Sequence, residues 1–502
     1  MNVVFVASEA VPFAKTGGLA DVIGSLPCAL ERLGLGVSVI IPCYREVWWR
    51  SGQEITTNGW KLWIPVGSRE VEARVHEGRL PGSDVAVYLI DQPGYFDRDQ
   101  LYLREDGSDF PDNAERFAFF AKAALETISR LEPRPDVIHC HDWQSALIPA
   151  MLRERYSPWL EGLGTLLTVH NLAYQGVFDA SALALTGLDR RLFNWRQLEY
   201  HGRLNYLKAG LVYADLISTV SPTYAREIQT PEFGCGLDGL LRSRSADLTG
   251  IINGIDTEVW SPAREPMLAA QYDATDFETG KALCKAALQR RAGLPERADV
   301  PLFAQIGRLD PQKGWDLLIE VADDLLRGEV QLVVLGFGQA RYHDQLDRLA
   351  VRHPGKLRVF LEFSGTLAHQ IEAGADLFLM PSLYEPCGLN QLYSLAHGTV
   401  PVVRATGGLS DTVVDATPGS LADGTATGVV FRDPTPQALR KAIERALAIR
   451  GDPVAWRQLV ENGMRADWSW DRSARDYVAL YDEVGRRAAR RVGRGSRLAM
   501  AV

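Results

Sequence analysis

Short runs rich in Val, Ile and Leu recur along the whole chain, with longer amphipathic stretches between them. In the first half the runs are Val3–Ala7, Gly36–Ile41, Asp84–Ile90, Val137–Cys140, Gly164–Val169 and Leu216–Val220. In the second they are Leu302–Ile306, Gln331–Leu335, Leu357–Phe360, Asp376–Met380 and Val400–Val403. Strands that read as near-continuous apolar runs are parallel and buried on both faces. The intervening stretches, such as Asn113–Arg130 and Gly314–Leu326, read as helices, so each half is predicted to be a doubly wound α/β domain. A chain of 502 residues is also too long for one core. The hinge is expected between Arg242 and about Pro262, where Asn253-Gly254-Ile255-Asp256 is a turn signal and Ser261-Pro262 a breaker. Beyond Trp470, Arg472–Arg487 reads as a terminal helix, and the arginines of Arg486 to Arg497 as a solvated or frayed end.

The formal charge of −9 argues against a nucleic-acid groove, and no apolar stretch reaches membrane-spanning length. Six cysteines without a CxxC pair fit a reduced compartment. The N-terminus lacks a basic n-region and meets Ser8-Glu9 after five apolar residues, unlike a secretion signal. A cytoplasmic protein is expected.

Chemistry concentrates where runs end. After Asp376–Met380 comes Pro381-Ser382-Leu383-Tyr384-Glu385-Pro386-Cys387-Gly388-Leu389-Asn390-Gln391, a turn with one carboxylate that opens a helix candidate, Gly388–His397. A helix N-terminus offers unpaired N–H groups to phosphate, and Glu385 could hold a neutral polyol beside it. Sugar plus phosphate in one crevice suggests a nucleotide-sugar enzyme. Lys15-Thr16-Gly17-Gly18-Leu19-Ala20-Asp21-Val22 is a second such turn, ahead of a helix over Ala20–Leu33; an ordinary strand-to-helix turn with a solvated Lys is the plainer alternative. Thr406-Gly407-Gly408-Leu409 echoes it and is read as the same phosphate-friendly turn used again. Gly307-Arg308-Leu309-Asp310-Pro311-Gln312-Lys313-Gly314 puts two cations at a strand end, suited to a pyrophosphate leaving group, or else to a surface ion pair with Asp310 or Asp316.

His139 and His141 share a strand face only if the strand continues, and with no third ligand nearby a metal is not expected. Asp142 suits sugar hydroxyls, or caps the helix that starts at Trp143. His170, at another strand end, is either a packing histidine or a site residue. Gly336-Phe337-Gly338 lacks the third glycine and the acid of a dinucleotide fingerprint, so an NAD site is not expected. Trp48, Trp49, Trp60 and Trp63 read as core or loop packing, with glucan stacking the alternative.

Taken in order, these motifs resemble the bacterial glycogen synthases and plant starch synthases. The match runs from Ser8–Val22 through His141–Gln144, His170–Gly176, Val220–Ala225, Asn253–Asp256, Gly307–Leu309, Gln312–Gly314, Glu385–Leu389 and Gly407–Leu409. The resemblance implies a GT-B fold: two Rossmann-like doubly wound parallel-sheet domains facing across a deep cleft. It implies an N-terminal domain over 1–247, a nucleotide-sugar domain over 248–469, and a terminal segment, 470–502, that crosses back. It implies transfer of glucose from ADP-glucose to the non-reducing end of an α-1,4-glucan (glycogen or a malto-oligosaccharide) with retention, and with no cofactor or metal. Lys15, Arg308 and Lys313 would bind the diphosphate with N–H groups of Gly18, Leu389 and Asn390, while Glu385, Asp142, His170 and Asn253 surround the glucose. Gly17, Asp21, Phe363, Cys387 and Gly388 complete the implied donor site. Three departures stand out: Tyr393 where related retaining transferases carry a second Glu, Asn390 for Thr, and Phe363 for an adenine-stacking Tyr. The residues alone leave ADP-glucose and UDP-glucose open, and leave a silent glucan-binding protein or a glucan phosphorylase as alternatives; no pyridoxal-phosphate lysine motif is recognisable. Oligomeric state is unassigned.

Overall fold

The computed structural model describes residues 1–50, 52–154, 160 and 162–499. The chain forms two compact units. One comprises residues 1–220, 225–254 and 470 onwards, the other residues 221–224 and 255–469.

In the first unit the strands are β1 (Asn2–Val6), β2 (Gly36–Pro42), β3 (Thr56–Val66), β4 (Arg69–Arg79), β5 (Ala86–Asp91), β6 (Val137–His141), β7 (Gly164–Val169), β8 (Val177–Phe178), β9 (Glu199–Tyr200), β10 (Arg203–Asn205), β11 (Leu216–Thr219) and β12 (Leu248–Gly250). Nine form one sheet in the order β12-β11-β7-β6-β1-β2-β5-β4-β3. From β12 to β5 every pair is parallel, while β5-β4-β3 is an antiparallel meander along one edge. β8, β10 and β9 make a small separate sheet. Because β12 joins the large sheet, the first unit continues to Gly254 and the chain changes over later than 247.

The meander was not foreseen. Its strands have one solvated face and so alternate apolar with polar residues, unlike the buried parallel runs. Pro65 inside β3 and a register shift between Thr57 and Lys61 weaken the signal further. Trp60 packs as expected, stacked on Tyr88 with centroids 6.0 Å apart, whereas Trp48, Trp49 and Trp63 stand exposed.

The terminal helix, Trp470–Ala499, lies on the first unit. Tyr481 is buried and its hydroxyl meets Nδ1 of His139 at 2.9 Å. Arg486 and Arg490 are exposed as expected, but two of the arginines expected to be solvated instead hold this helix down. Arg487 pairs with Asp247, and Arg491 pairs with Asp215 at 2.5 Å and donates to Leu163 O. The side chains from 492 onward lie outside the described residues.

The second unit has β13 (Leu302–Ile306), β14 (Gln331–Leu335), β15 (Leu357–Phe360), β16 (Leu377–Met380), β17 (Val400–Arg404) and β18 (Val429–Phe431), all parallel, in the order β15-β14-β13-β16-β17-β18. Alternate residues feed two cores. Phe303, Leu332, Val334, Leu377 and Leu379 pack on one face. Leu302, Ala304, Val333, Leu335 and Phe378 pack on the other. Each buried side chain of this size contributes about 1.5–3 kcal/mol. To one side, Glu265 accepts from His369 at 2.8 Å and His397 at 2.9 Å, and Trp260 stacks on His369 and Tyr393. The buried trio Glu265, His369 and His397 is therefore already hydrogen-bonded within itself.

Two strand-end loops of this sheet press together at Gly314. It takes φ 70°, and a Cβ there would stand 2.0 Å from Pro381 O. Gly314→Ala combines a left-handed penalty of about 1–2 kcal/mol with a clash costing about 1–3 kcal/mol. Chemical denaturation is expected to show a loss of about 2–5 kcal/mol, whereas Ala at exposed Gly365, which has open space around it, should change little.

Candidate functional site

Glu385 sits in the turn after β16, 5% exposed. Such a carboxylate needs donors. Lys313, in the turn after neighbouring β13, supplies one from Nζ at 2.7 Å and 3.0 Å, and Ser382 Oγ another at 3.0 Å. The backbone of the turn is stitched in as well. Leu383 N donates to Gln312 O at 2.8 Å, and Arg404 Nη1 donates to Leu383 O at 2.5 Å and Ser382 O at 3.2 Å. Gly408 N donates to Glu385 O at 3.1 Å.

That last bond corrects the reading of Thr406–Leu409. Gly407 at φ 44° leaves no room for a Cβ, which would lie 1.9 Å from Glu385 O, and the N–H of Gly408 is taken. The second Gly-Gly turn is a prop for the Glu385 turn, with the Gly408 N–H unavailable to phosphate.

Arg308 leans toward Asp310 at 3.6 Å and Gln312 at 3.5 Å, and its carbonyl accepts from Trp315 Nε1 at 2.7 Å. Asp316 is engaged elsewhere, by Tyr342 and Arg341. Cys387 is buried, and its carbonyl and that of Gly388 accept from Gln391 Nε2. The helix Asn390–Ala396 begins beside Leu389, and Asn390 Nδ2 donates to Ile306 O at 2.9 Å. First-turn N–H groups have no intrahelical partner. Phe363, beyond the edge strand β15, is 81% exposed.

In the first unit the candidate residues also stand past the carboxyl ends of parallel strands. Lys15 pairs with Asp21 at 2.6 Å, and Gly18 opens the helix Gly18–Arg32. Gly17 precedes it with open space around the position of a Cβ. Burial raises the Asp21 carboxyl, while Lys15 opposes the shift. Asn253, after β12, is buried with Oδ1 lacking a partner among the described residues.

Asp142 takes φ 54°, a left-handed conformation uncommon in non-glycine residues, though one that Asp tolerates better than most. Its carboxylate does not cap its own helix, contrary to one of the two readings. It accepts from the N–H of His170 at 2.7 Å and also from that of Asn171. Desolvation pushes this carboxyl up to about 7, the two backbone donors oppose it, and the charge of Glu9 adds to the push. Desolvation also lowers the His170 imidazole to about 3. Strand β6 does run on to His141, so His139 and His141 share a face, with ring centroids 4.0 Å apart.

Glu9 was missed as a site residue. It is buried, and its carboxylate accepts from Thr16 N, from Thr16 Oγ1 at 2.6 Å, from Gly17 N at 3.3 Å and from Tyr102 Oη at 2.7 Å. It thereby fixes the shape of the Lys15 loop. Burial raises its carboxyl and these four bonds oppose that. The signal available was an acid directly after a buried strand and ahead of a Gly-Gly turn; Tyr102, far along the chain, had none.

The model of the starch synthase catalytic domain matches residues 2–243, and that of group 1 glycosyl transferases residues 289–463. A glycogen synthase of Rhodopirellula baltica is 47% identical, with 96% of this chain and 97% of that protein covered. One of Thioalkalivibrio sulfidiphilus is 48% identical, covering 96% and 100%. Among solved structures, the catalytic domain of starch synthase IV from Arabidopsis thaliana, bound to ADP and acarbose, superposes with a TM-score of 0.88 at 34% identity, covering 96% and 99%. Sucrose-phosphate synthase from Thermosynechococcus elongatus, at 19% identity and a TM-score of 0.60 over 96% and 98%, shares the fold alone. That fold, with two Rossmann-like α/β units, is GT-B.

Asp142 gives a pH test. Its folded-state value, about 7, lies above the ordinary carboxyl range near 4. The native state then holds the extra proton between these values, so the ionised carboxyl destabilises increasingly from about pH 4 to pH 7. Asp142→Asn, which keeps an acceptor for the two N–H groups, should be more stable than the parent at pH 8, with the gain shrinking by pH 5. Paired thermal melts at the two pH values measure this; a gain equal at both would refute it.

Proposed function

Because this chain belongs to the glycogen synthase and starch synthase family, we propose that it transfers glucose from ADP-glucose to the non-reducing 4-hydroxyl of an α-1,4-glucan, with retention. The acceptor would be glycogen or a malto-oligosaccharide, the setting the cytoplasm. What carries the reading is the ion pair of partly exposed Lys313 with buried Glu385, at adjacent strand ends of the second unit, with Arg308 in the same turn as Lys313. It sets sugar-binding and phosphate-binding chemistry side by side.

In this mechanism Arg308 and Lys313 neutralise the charge that builds on the departing diphosphate, helped by the N–H groups of Leu389 and Asn390. Glu385 accepts from donor-sugar hydroxyls, with Cys387 and Gly388 shaping its turn, and Phe363 offers a face to adenine. Lys15, Gly17, Gly18 and Asp21 form the phosphate-facing loop of the first unit. Asp142, His170 and Asn253 meet the glucose, and the unpartnered Oδ1 of Asn253 suits a hydroxyl donor. The β-phosphate oxygen takes the acceptor's proton on the same face, so no second carboxylate is required. Retaining glycosidases need two, roughly 5–5.5 Å apart. Tyr393 in place of a second Glu fits a front-face displacement of this kind.

Transfer of labelled glucose to glycogen, with ADP-glucose and UDP-glucose compared at equal concentration, tests the donor. Arg308→Ala is expected to lower turnover by roughly 10²–10³-fold, as for loss of one preorganised donor. Its melting temperature should hardly move, since Arg308 is half-exposed. Lys313→Ala should lose as much activity and also melt earlier, because it strands a buried carboxylate. Full turnover in Arg308→Ala would remove it from the leaving-group role.

A further inference from the structure

His141 is fully buried at the end of β6, its ring stacked on Phe5 with centroids 5.3 Å apart and an interplanar angle of 15°. Its Nδ1 stands 3.0 Å from Nε2 of His170. Two neutral imidazoles at that distance share one proton, so one ring donates and the other accepts. The other nitrogen of His141, Nε2, is buried with no partner among the described residues. A proton placed there would be an unpaired buried N–H, the rarer and costlier kind of orphan; a bare lone pair is tolerated better. The proton of His141 therefore belongs on Nδ1, and Nε2 of His170 accepts it. Doubly protonated rings are disfavoured, since burial holds both imidazoles well below their ordinary value. His139, the third ring of the group, satisfies both its nitrogens separately, with Tyr481 Oη at 2.9 Å and Thr168 Oγ1 at 2.6 Å.

We propose that His141 is a positioning residue that fixes the tautomer of His170, so that His170 presents Nδ1–H as a hydrogen-bond donor to an oxygen of the substrate. Nδ1 of His170 has no hydrogen bond to the described residues, and the ring is only partly buried, so this is the face left for a ligand. A donor there takes a sugar oxygen; the alternative tautomer would offer a lone pair and need a hydroxyl proton. The backbone of His170 is held independently by Asp142, so orientation of the main chain and choice of tautomer have separate causes. The assignment of a sugar to His170 rests on the glucosyl-transfer reading above, whereas the location of the proton does not.

The test is multiple-bond ¹⁵N–¹H correlation on protein labelled at histidine, with the His170 signals identified by their loss in His170→Gln. Wild type, His141→Asn and His141→Phe are compared, each with its melting temperature and kcat/KM. The asparagine variant keeps an N–H near the place of Nδ1; the phenylalanine variant keeps the stack on Phe5 and removes the donor. The expected pattern is Nδ1–H at His170 in wild type and in His141→Asn, and loss of that single tautomer in His141→Phe. Alongside it, kcat/KM should fall roughly 10–100-fold in His141→Phe, the usual effect of losing an orienting partner, with substantial recovery in His141→Asn. Nε2–H at His170 in wild type would overturn the proposal, as would unchanged tautomer and kcat/KM in His141→Phe. If wild type shows the expected tautomer but transfers no glucose from any nucleotide sugar, the glucosyl-transfer reading fails while the assignment of the proton stands.

Discussion

Three carboxylates stand where buried parallel strands end, and each must find hydrogen-bond donors there or give up its charge. Glu9 after β1 takes the N–H groups of Thr16 and Gly17, Asp142 after β6 those of His170 and Asn171, and Glu385 after β16 the ammonium of Lys313. Each carboxylate therefore organises the loop that supplies its donors. The loops around the candidate site are thus shaped in part by these acids.

The neighbouring loops close this arrangement. Gly314 lies against Pro381 and Gly407 against Glu385, contacts that no side chain at either position would permit. The Lys313–Glu385 pair is thus set between two backbone approaches and has little freedom to drift. For electrostatic stabilisation of a departing diphosphate, such fixity matters more than the number of cations, because preorganised charge needs no rearrangement during reaction. In the first unit Asp142 combines a left-handed backbone with a raised carboxyl, two features that cost stability at one residue.

Much of the fold was legible in the sequence because parallel strands buried on both faces leave uninterrupted apolar runs, as in Gly164–Val169 and Leu302–Ile306. The β3–β4 hairpin was not, since a half-solvated antiparallel pair leaves only alternation, and Pro65 interrupts even that. Candidate residues were legible where one short segment carries both charge and turn, as at Lys313 and Glu385. They were not where the partner is remote in sequence: Tyr102 reaching Glu9, Arg404 bracing the Glu385 turn, or His170 meeting His141. The repeated Thr-Gly-Gly-Leu motif misled for a related reason. Identical local sequence gives an open loop at Gly17 and a filled packing contact at Gly407, and only the surroundings tell them apart.

The proposed function requires one physical statement to hold, that the loops after β13 and β16 bind a nucleoside diphosphate. A crystal structure of the protein with ADP tests it most directly. The phosphates are expected against Lys313, Arg308 and the N–H groups of Leu389 and Asn390, with the adenine near Phe363. Phosphates bound away from these strand ends, with Lys313 and Arg308 untouched, would contradict it.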